Sequence, residues 1–134
     1  MNEEFVPFEL AKKLQEKGFD WQTFDWYDHL GNFNKGFIPR TLRGCPMHRE
    51  YYAPTIGLAM KWLREEKKLH IEIVAAAYGY NYIISDTPEK GGTDRHSSAI
   101  KYEGPNDGGA WDEFEAVAIA GIFYTCRESI VRII

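Results

Sequence analysis

The chain has 134 residues, a length that suits one domain; 44% of them are hydrophobic and 15% aromatic. Large aromatic side chains bury about 150–250 Å² each, so this composition supplies a core without disulfides or a structural metal. Charged residues make up 27% and the net charge is −4. These values argue against disorder and against general binding to nucleic acids or anionic membranes.

The first predicted elements are a helix and a hairpin. Residues 7–18, PFELAKKLQEKG, place Pro7 in the first helical turn and Gly18 where a left-handed C-terminal cap is expected. Apolar residues recur there at helical spacing. Residues 23–37 alternate instead around the sequence HLGN, which predicts two strands of a hairpin. Residues 38–50 contain two prolines and no period, which predicts a loop.

Residues 54–68 form the second predicted helix, beginning at Pro54 or Thr55. Its apolar residues fall on one stripe of a helical wheel, and Trp62 borders that stripe. The basic residues at 61, 64 and 68 lie on the opposite arc, and glutamates are mixed among the cations of the segment, so the local field is weak. We therefore expect Trp62 to be buried in a core rather than exposed on a cationic surface that binds nucleic acid.

A second hairpin and a polar insert follow. Residues 69–78 and 80–86, joined by Gly79, alternate in polarity and predict the clearest hairpin of the chain. Residues 87–110 are rich in glycine and proline and predict a long polar insert, in which 97–104 is a candidate short strand.

The last predicted element is a long C-terminal helix over residues 111–134, with an acidic first turn that suits the helix dipole. The pattern as a whole predicts an α+β fold. We expect a small antiparallel sheet of two hairpins, about four strands, packed against two or three helices. We predict a single domain over residues 1–134 with flexible loops near 38–50 and 87–110.

Three segments carry a resemblance to a known family. They are FELAKKLQEKGFD followed by an aromatic strand and the turn DHLG, then YAPTIGLAMKWLREEKKLHIEI, and then AWDEFEAVAIAGI. In these segments the chain resembles small uncharacterised proteins encoded by phages and prophages of gut Bacteroidetes such as Bacteroides, in which an APT…KWLRE helix leads into a strand. The family has no established activity, so the resemblance implies a phage-associated or mobile-element accessory protein of unknown function.

The two cysteines, Cys45 and Cys126, bear on the compartment. An even number permits a disulfide, but residues 1–4 are acidic where a secretory signal needs a basic start and an apolar run. The longest nearly apolar run, 116–126, is far shorter than the ~20 residues that cross a bilayer. We therefore expect reduced thiols and a cytoplasmic protein of a bacterial host, without membrane contact.

Candidate catalytic and metal-binding residues do not form a complete set in the sequence. Cys45 and His48 have half of a zinc-ligand spacing, and a tetrahedral site needs two more ligands. A thiol hydrolase that pairs Cys45 with His70 or His96 stays open, although no glycine-rich oxyanion feature flanks the cysteine. The paired carboxylates of the chain have structural explanations at a turn and a helix start. We therefore expect no enzymatic activity, no cofactor and no metal.

The basic segment 35–49 is the best candidate for binding nucleic acid or an acidic partner, because no acidic residue interrupts its cations. Its lysine and arginines are Lys35, Arg40, Arg43 and Arg49. A solvated connector explains the same charges, and we favour it. Tyrosine is enriched at interfaces and is also a good strand residue. The tyrosines that suggest a recognition surface are Tyr51, Tyr52, Tyr78, Tyr80 and Tyr82.

These observations predict a non-enzymatic phage or prophage accessory protein, or a protein-interaction module. Residues 116–124 are apolar around most of the helix, so they predict burial on several sides or cover by another subunit of a homo-oligomer. The candidate oligomer contacts are Ile119, Ile122 and Phe123. The alternative is a nucleic-acid-binding accessory protein that uses the segment 35–49.

Overall fold

The structure is a computed structural model that describes residues 5–36, 50–99, 103–106 and 109–126. These residues contain three α-helices, six strands and one short 3₁₀ helix. In chain order the elements are α1 (Phe8–Glu16), β1 (Trp26–Tyr27), β2 (Phe33–Asn34), β3 (Tyr51–Tyr52), α2 (Ile56–Glu66), β4 (Leu69–Ala76), β5 (Gly79–Asp86), the 3₁₀ helix (Pro88–Lys90), β6 (Asp94–Ser97) and α3 (Phe114–Thr125).

The predicted α+β class is confirmed. The strands form two antiparallel sheets of three, ordered β2-β1-β3 and β4-β5-β6, where the sequence predicted one sheet of about four strands. The chain divides into two compact units, Met1–Ala59 (unit 1) and Met60–Ile134 (unit 2). That the whole chain behaves as one domain remains a prediction.

The helix α1 begins at Phe8, one residue after the predicted start, and ends before Gly18 as predicted. Pro7 is the N-cap residue, with an extended backbone at φ −69°. At the other end Gly18 adopts a φ of +102°. The N–H groups of Gly18 and Phe19 donate to the carbonyl oxygens of Gln15 and Leu14. This pair of bonds is a Schellman motif, which satisfies carbonyls that the helix leaves open and turns the chain away from its axis.

The β1–β2 hairpin turns at Asp28. Its Oδ1 accepts the N–H of Leu30 at 2.9 Å and the N–H of Asn32 at 3.0 Å, and its Oδ2 accepts the Asn32 side-chain amide at 3.2 Å. These bonds favour the ionised carboxylate, so they lower the pKa of Asp28, the Asn32 backbone bond most of all. The predicted hairpin is confirmed, with strands of two residues each.

Aromatic rings join the parts of unit 1. The ring of Tyr27 on β1 lies 5.5 Å from that of Phe8 and 5.6 Å from that of Phe33, between centroids. The Tyr27 hydroxyl donates to the carbonyl oxygen of Val6 at 2.6 Å. Burial raises the pKa of Tyr27, because the phenolate would lose its hydration. One side chain thus ties β1 to the N-terminal segment and to α1.

The helix α2 starts at a capping residue. The Thr55 hydroxyl accepts the N–H of Leu58 at 3.1 Å, which satisfies one of the open donors of the first turn. Trp62 is 2% exposed, which confirms that it is buried. The Lys67 ammonium lies 5.5 Å from the centre of the Trp62 ring. After the helix, Lys68 adopts a φ of +59° and leads directly into β4.

The longest ladder of unit 2 joins β4 and β5 through eight residue pairs. Residues 77–78 form the turn between these strands, so Gly79 begins β5 rather than forming the turn itself. Gly79 has a φ of +137°, and a Cβ there would lie 2.1 Å from the carbonyl oxygen of Trp111. This position therefore requires glycine for two independent reasons.

The helix α3 packs on β4 and β5. Gly121 allows a close approach, since a Cβ there would lie 3.1 Å from Ile71 Cγ2 and 3.3 Å from Tyr82 Cγ. The buried residues of the helix recur at helical spacing along the side that faces the sheet. They are Val117, Ala118, Gly121, Ile122 and Thr125.

The polar insert and the chain end differ from their predictions. The insert forms one strand, β6, which ends at Ser97, where the predicted candidate strand 97–104 begins. The 3₁₀ helix precedes β6 in the chain. The last helix starts at Phe114, three residues later than predicted. Residues 37–49, 100–102 and 127–134 lie outside the described residues, so the predicted loop and the end of the predicted helix fall there. In the part that is described, no helix combines the length and apolarity needed to span a bilayer.

Candidate functional site

The predicted basic segment is described only at its start. Lys35 follows β2 and is exposed. Phe33 on the same strand is 42% exposed. Arg40, Arg43 and Arg49 lie outside the described residues. A nucleic-acid interface in this segment therefore stays a prediction.

The three predicted oligomer contacts on α3 differ in how deeply they are buried. Ile122 is 0% exposed within its own chain, so its burial needs no second subunit. Ile119 and Phe123 are half-buried. The apolar circumference of α3 is thus explained in part by the sheet beneath it, and an oligomer interface at Ile119 and Phe123 stays a prediction.

The thiol and metal candidates are not brought together in the described ranges. Cys45 and His48 lie outside them, and Cys126 is buried at the end of α3. Within those ranges no three histidine, cysteine, aspartate or glutamate side chains could hold a metal ion. His70 is half-buried on β4, whereas His96 belongs to a different cluster.

That cluster joins β5, β6 and α3 and was not predicted from the sequence. The Glu103 carboxylate accepts a hydrogen bond from the Tyr82 hydroxyl and a second from His96 Nε2. The His96 ring stacks on the Tyr124 ring with centroids 3.8 Å apart and planes 6° apart. Only 8% of the His96 side chain is exposed. The cluster therefore links three secondary-structure elements through one imidazole.

A carboxylate bonded to one imidazole nitrogen is the arrangement that orients a histidine general base. Catalysis also needs a nucleophile or bound substrate within reach of the imidazole. Ser98, two positions after His96, uses its hydroxyl inside the sheet: it donates to Asn81 Oδ1 and accepts the Tyr82 N–H, each at 3.0 Å. The observed contacts of the cluster are those of a structural cross-link.

A second grouping lies where the β4–β5 turn meets the start of α3. Tyr78 is 60% exposed and Phe114 is 47% exposed. The Phe114 ring packs edge-on against Tyr80, with centroids 6.1 Å apart. The exposed carboxylates of Asp112 and Glu113 directly precede the helix. We call these five residues the aromatic–acidic end.

Hydrogen bonds hold the backbone of the aromatic–acidic end. Tyr80 donates to the Trp111 carbonyl at 2.7 Å, and Trp111 donates to the Tyr80 carbonyl at 2.9 Å. The side-chain amide of Asn106 donates to the Tyr78 carbonyl and to the Asp112 carboxylate, each at 2.7 Å. The exposed rings and carboxylates are therefore presented on a supported backbone, which lowers the entropy lost when a partner binds.

Sequence reasoning found only part of this grouping. The tyrosines at 78 and 80 stood out as interface residues, but the acidic residues at 112 and 113 were explained by the helix dipole alone. The signal that could have joined them is Asn106, a turn residue in the polar insert whose amide has two donors. Nothing in the sequence pattern states where those donors go.

Comparisons with known proteins add no relative. No family model, curated protein or solved structure matches the chain at a significant level. The resemblance to phage and prophage proteins stays a prediction, and the functional argument depends on the geometry of the described residues.

Proposed function

We propose that the chain is a non-enzymatic protein-interaction module that binds a basic protein segment at the aromatic–acidic end. The observation that carries the proposal is the exposure of Tyr78 and Phe114 beside the carboxylates of Asp112 and Glu113. Grouped exposed apolar side chains mark interaction sites, and tyrosine and phenylalanine are enriched there. The phage or prophage association and the bacterial cytoplasm enter the proposal as implications of the sequence.

The chemistry of the aromatic–acidic end favours a cationic partner. Carboxylates pair with lysine and arginine, and the faces of aromatic rings attract the same cations with about 0.5–1 kcal/mol at exposed sites. The net charge of −4 repels acidic partners and draws basic ones toward the chain. Rings and carboxylates side by side therefore recognise both the charge and the aliphatic stem of a basic side chain.

Nuclear magnetic resonance titration of the isotope-labelled chain tests the proposal. The probes are a peptide rich in lysine and arginine and an acidic peptide of equal length. We expect the basic peptide to shift the resonances of Tyr78, Tyr80 and Phe114, with weaker binding at high salt. The acidic peptide should shift none of them. Shifts confined to other residues, or no shifts at all, would overturn the proposal.

Paired charge variants localise the contact. Asp112→Asn with Glu113→Gln should weaken binding of the basic peptide about tenfold, because two carboxylates lose their charge while the shape is kept. The matched control is Glu65→Gln with Glu66→Gln on the exposed side of α2. The control should bind like the unchanged chain; equal losses in both variants would assign the effect to net charge alone.

One observation supports the nucleic-acid alternative, namely the exposure of Lys35 next to the partly exposed ring of Phe33. Gel retardation of single-stranded DNA at low salt tests it. Retardation that disappears when Arg40, Arg43 and Arg49 are replaced by alanine would replace our proposal with this alternative. Absence of retardation at low salt would reject the alternative.

A further inference from the structure

Among the described residues, no strand pairs with the outer edge of β4. β4 has eight residues and is the end strand of the β4-β5-β6 sheet. In the described part of the chain, its backbone hydrogen bonds go to β5 alone. Alternate residues therefore direct their N–H and C=O groups away from the sheet, where they are available to another strand.

This edge has few of the usual protections against strand addition. Natural edge strands are shortened, kinked by a bulge or proline, or charged with lysine. β4, LHIEIVAA, has no proline and no lysine, and its pairing with β5 is regular over the full length. Its polar side chains are His70 and Glu72, which lie on the same face of the strand, half-buried and exposed respectively.

We propose that β4 pairs antiparallel with β4 of a second copy of the chain, which joins the two three-stranded sheets into one of six strands. The symmetry axis of such a pair runs perpendicular to the sheet and leaves each side chain on its own face. Paired residues must also share a face, so one residue of β4 lies opposite the same residue of the second copy, and the axis passes midway between these two. The strand can therefore pair with its copy in only a few registers.

Among the registers centred on residues 71–73, the polar side chains of β4 favour one. With the axis at Ile71, His70 lies opposite Glu72 of the partner subunit, and the reciprocal pair repeats the contact. With the axis at Glu72, two carboxylates face each other, which is unfavourable. With the axis at Ile73, Glu72 faces an apolar valine and gains no partner. The register at Ile71 pairs residues 69–73, away from the turn at 77–78, so the dimer and the aromatic–acidic end use different surfaces.

A charge-exchange series measured by sedimentation equilibrium tests this dimer. His70→Glu should weaken self-association about tenfold, because it places two carboxylate pairs opposite each other. Adding Glu72→Lys to His70→Glu places a carboxylate opposite an ammonium and should return the dissociation constant to within about threefold of the unchanged chain. The matched control, His29→Glu at an exposed turn position, should leave self-association unchanged.

Amide hydrogen exchange supplies a second measurement that does not depend on a variant. The outward amides of residues 69–73 should exchange more slowly as the protein concentration rises, since pairing protects them. A chain that stays monomeric at high concentration, a dimer indifferent to His70→Glu, or a double variant as weak as the single one would each overturn the inference. None of these outcomes bears on the peptide titration, so the two proposals fail separately.

Discussion

The two units of the molecule are stabilised by different means. In unit 1 each strand has two residues, and the aromatic rings around Tyr27 together with its buried hydroxyl bond join the parts. In unit 2 an eight-pair ladder supports α3. Short strands cannot hold a sheet by backbone bonds alone, so side chains must do so in unit 1. The ladder of unit 2 instead leaves side chains at its turn and edge available for contacts with other molecules.

The largest expected effect comes from the turn end of the ladder. Gly79→Ala should lower the free energy of unfolding by about 4 kcal/mol, because the added Cβ meets the Trp111 carbonyl and the backbone is left-handed. Urea unfolding measures the loss. The control, Gly57→Ala in α2, has open space around it and should be stabilising by up to about 1 kcal/mol. Equal effects would contradict the structure of this turn.

Leu14→Ala in α1 tests whether the units unfold together. Leu14 is 0% exposed, and its loss should cost about 3 kcal/mol through the cavity it leaves. Hydrogen exchange of α1 and β5 separates the outcomes. Destabilisation confined to unit 1 would make the units independent, whereas equal loss in both would favour the single-domain prediction. Lys13→Ala, on the exposed side of α1, should change neither.

Glu103→Gln tests the cross-link of unit 2. The glutamine amide has one uncharged oxygen, whereas each of the two carboxylate oxygens of Glu103 accepts a hydrogen bond, one from Tyr82 and one from His96. We therefore expect the free energy of unfolding in urea to fall by about 2 kcal/mol. The matched variant Asp94→Asn removes an exposed carboxylate on β6 and should change the free energy of unfolding little. A Glu103→Gln chain as stable as the unchanged one would show that the backbone ladder suffices without the cross-link.

The smallest effect concerns Asp28 in unit 1 and depends on pH. Its pKa is lowered in the folded chain, so its stabilisation is present above the ordinary value of 3.8 and is lost as the pH falls through the folded value. The unfolding free energy of the unchanged chain should exceed that of Asp28→Asn at neutral pH, and the difference should shrink in acid. A difference that grows in acid would contradict the hydrogen bonds at this turn.

The elements that the sequence predicted well are long enough for a helical or alternating pattern of apolar residues to repeat. α1, α2 and the β4–β5 hairpin each offer enough positions for apolar residues to recur, and Gly18 marks the end of α1. β3 and β6 have two and four residues, too few to show alternation. Their pairing is fixed by distant strands, as when Tyr52 pairs with Trp26. Tertiary contacts, rather than local preference, decide such strands.

The candidate site was less predictable than the fold. The Asn106 side chain joins Tyr78 and Asp112, which are 34 positions apart, and His96 stacks on Tyr124 across two elements. Contacts of this kind arise only after the sheet and α3 have packed together. The exposed ring of Tyr78 could be suspected from the run of tyrosines, but Phe114 and the neighbouring carboxylates could not.

Gly121 has a consequence for how this protein tolerates change over evolutionary time. Its missing side chain sets the spacing between α3 and the sheet, and Tyr124 follows one helical turn later. A bulkier residue at 121 would lift the helix and draw the Tyr124 ring off His96, although neither residue had been altered. Substitution of Gly121 is therefore constrained by the stacking of Tyr124 on His96, a contact that Gly121 does not itself make.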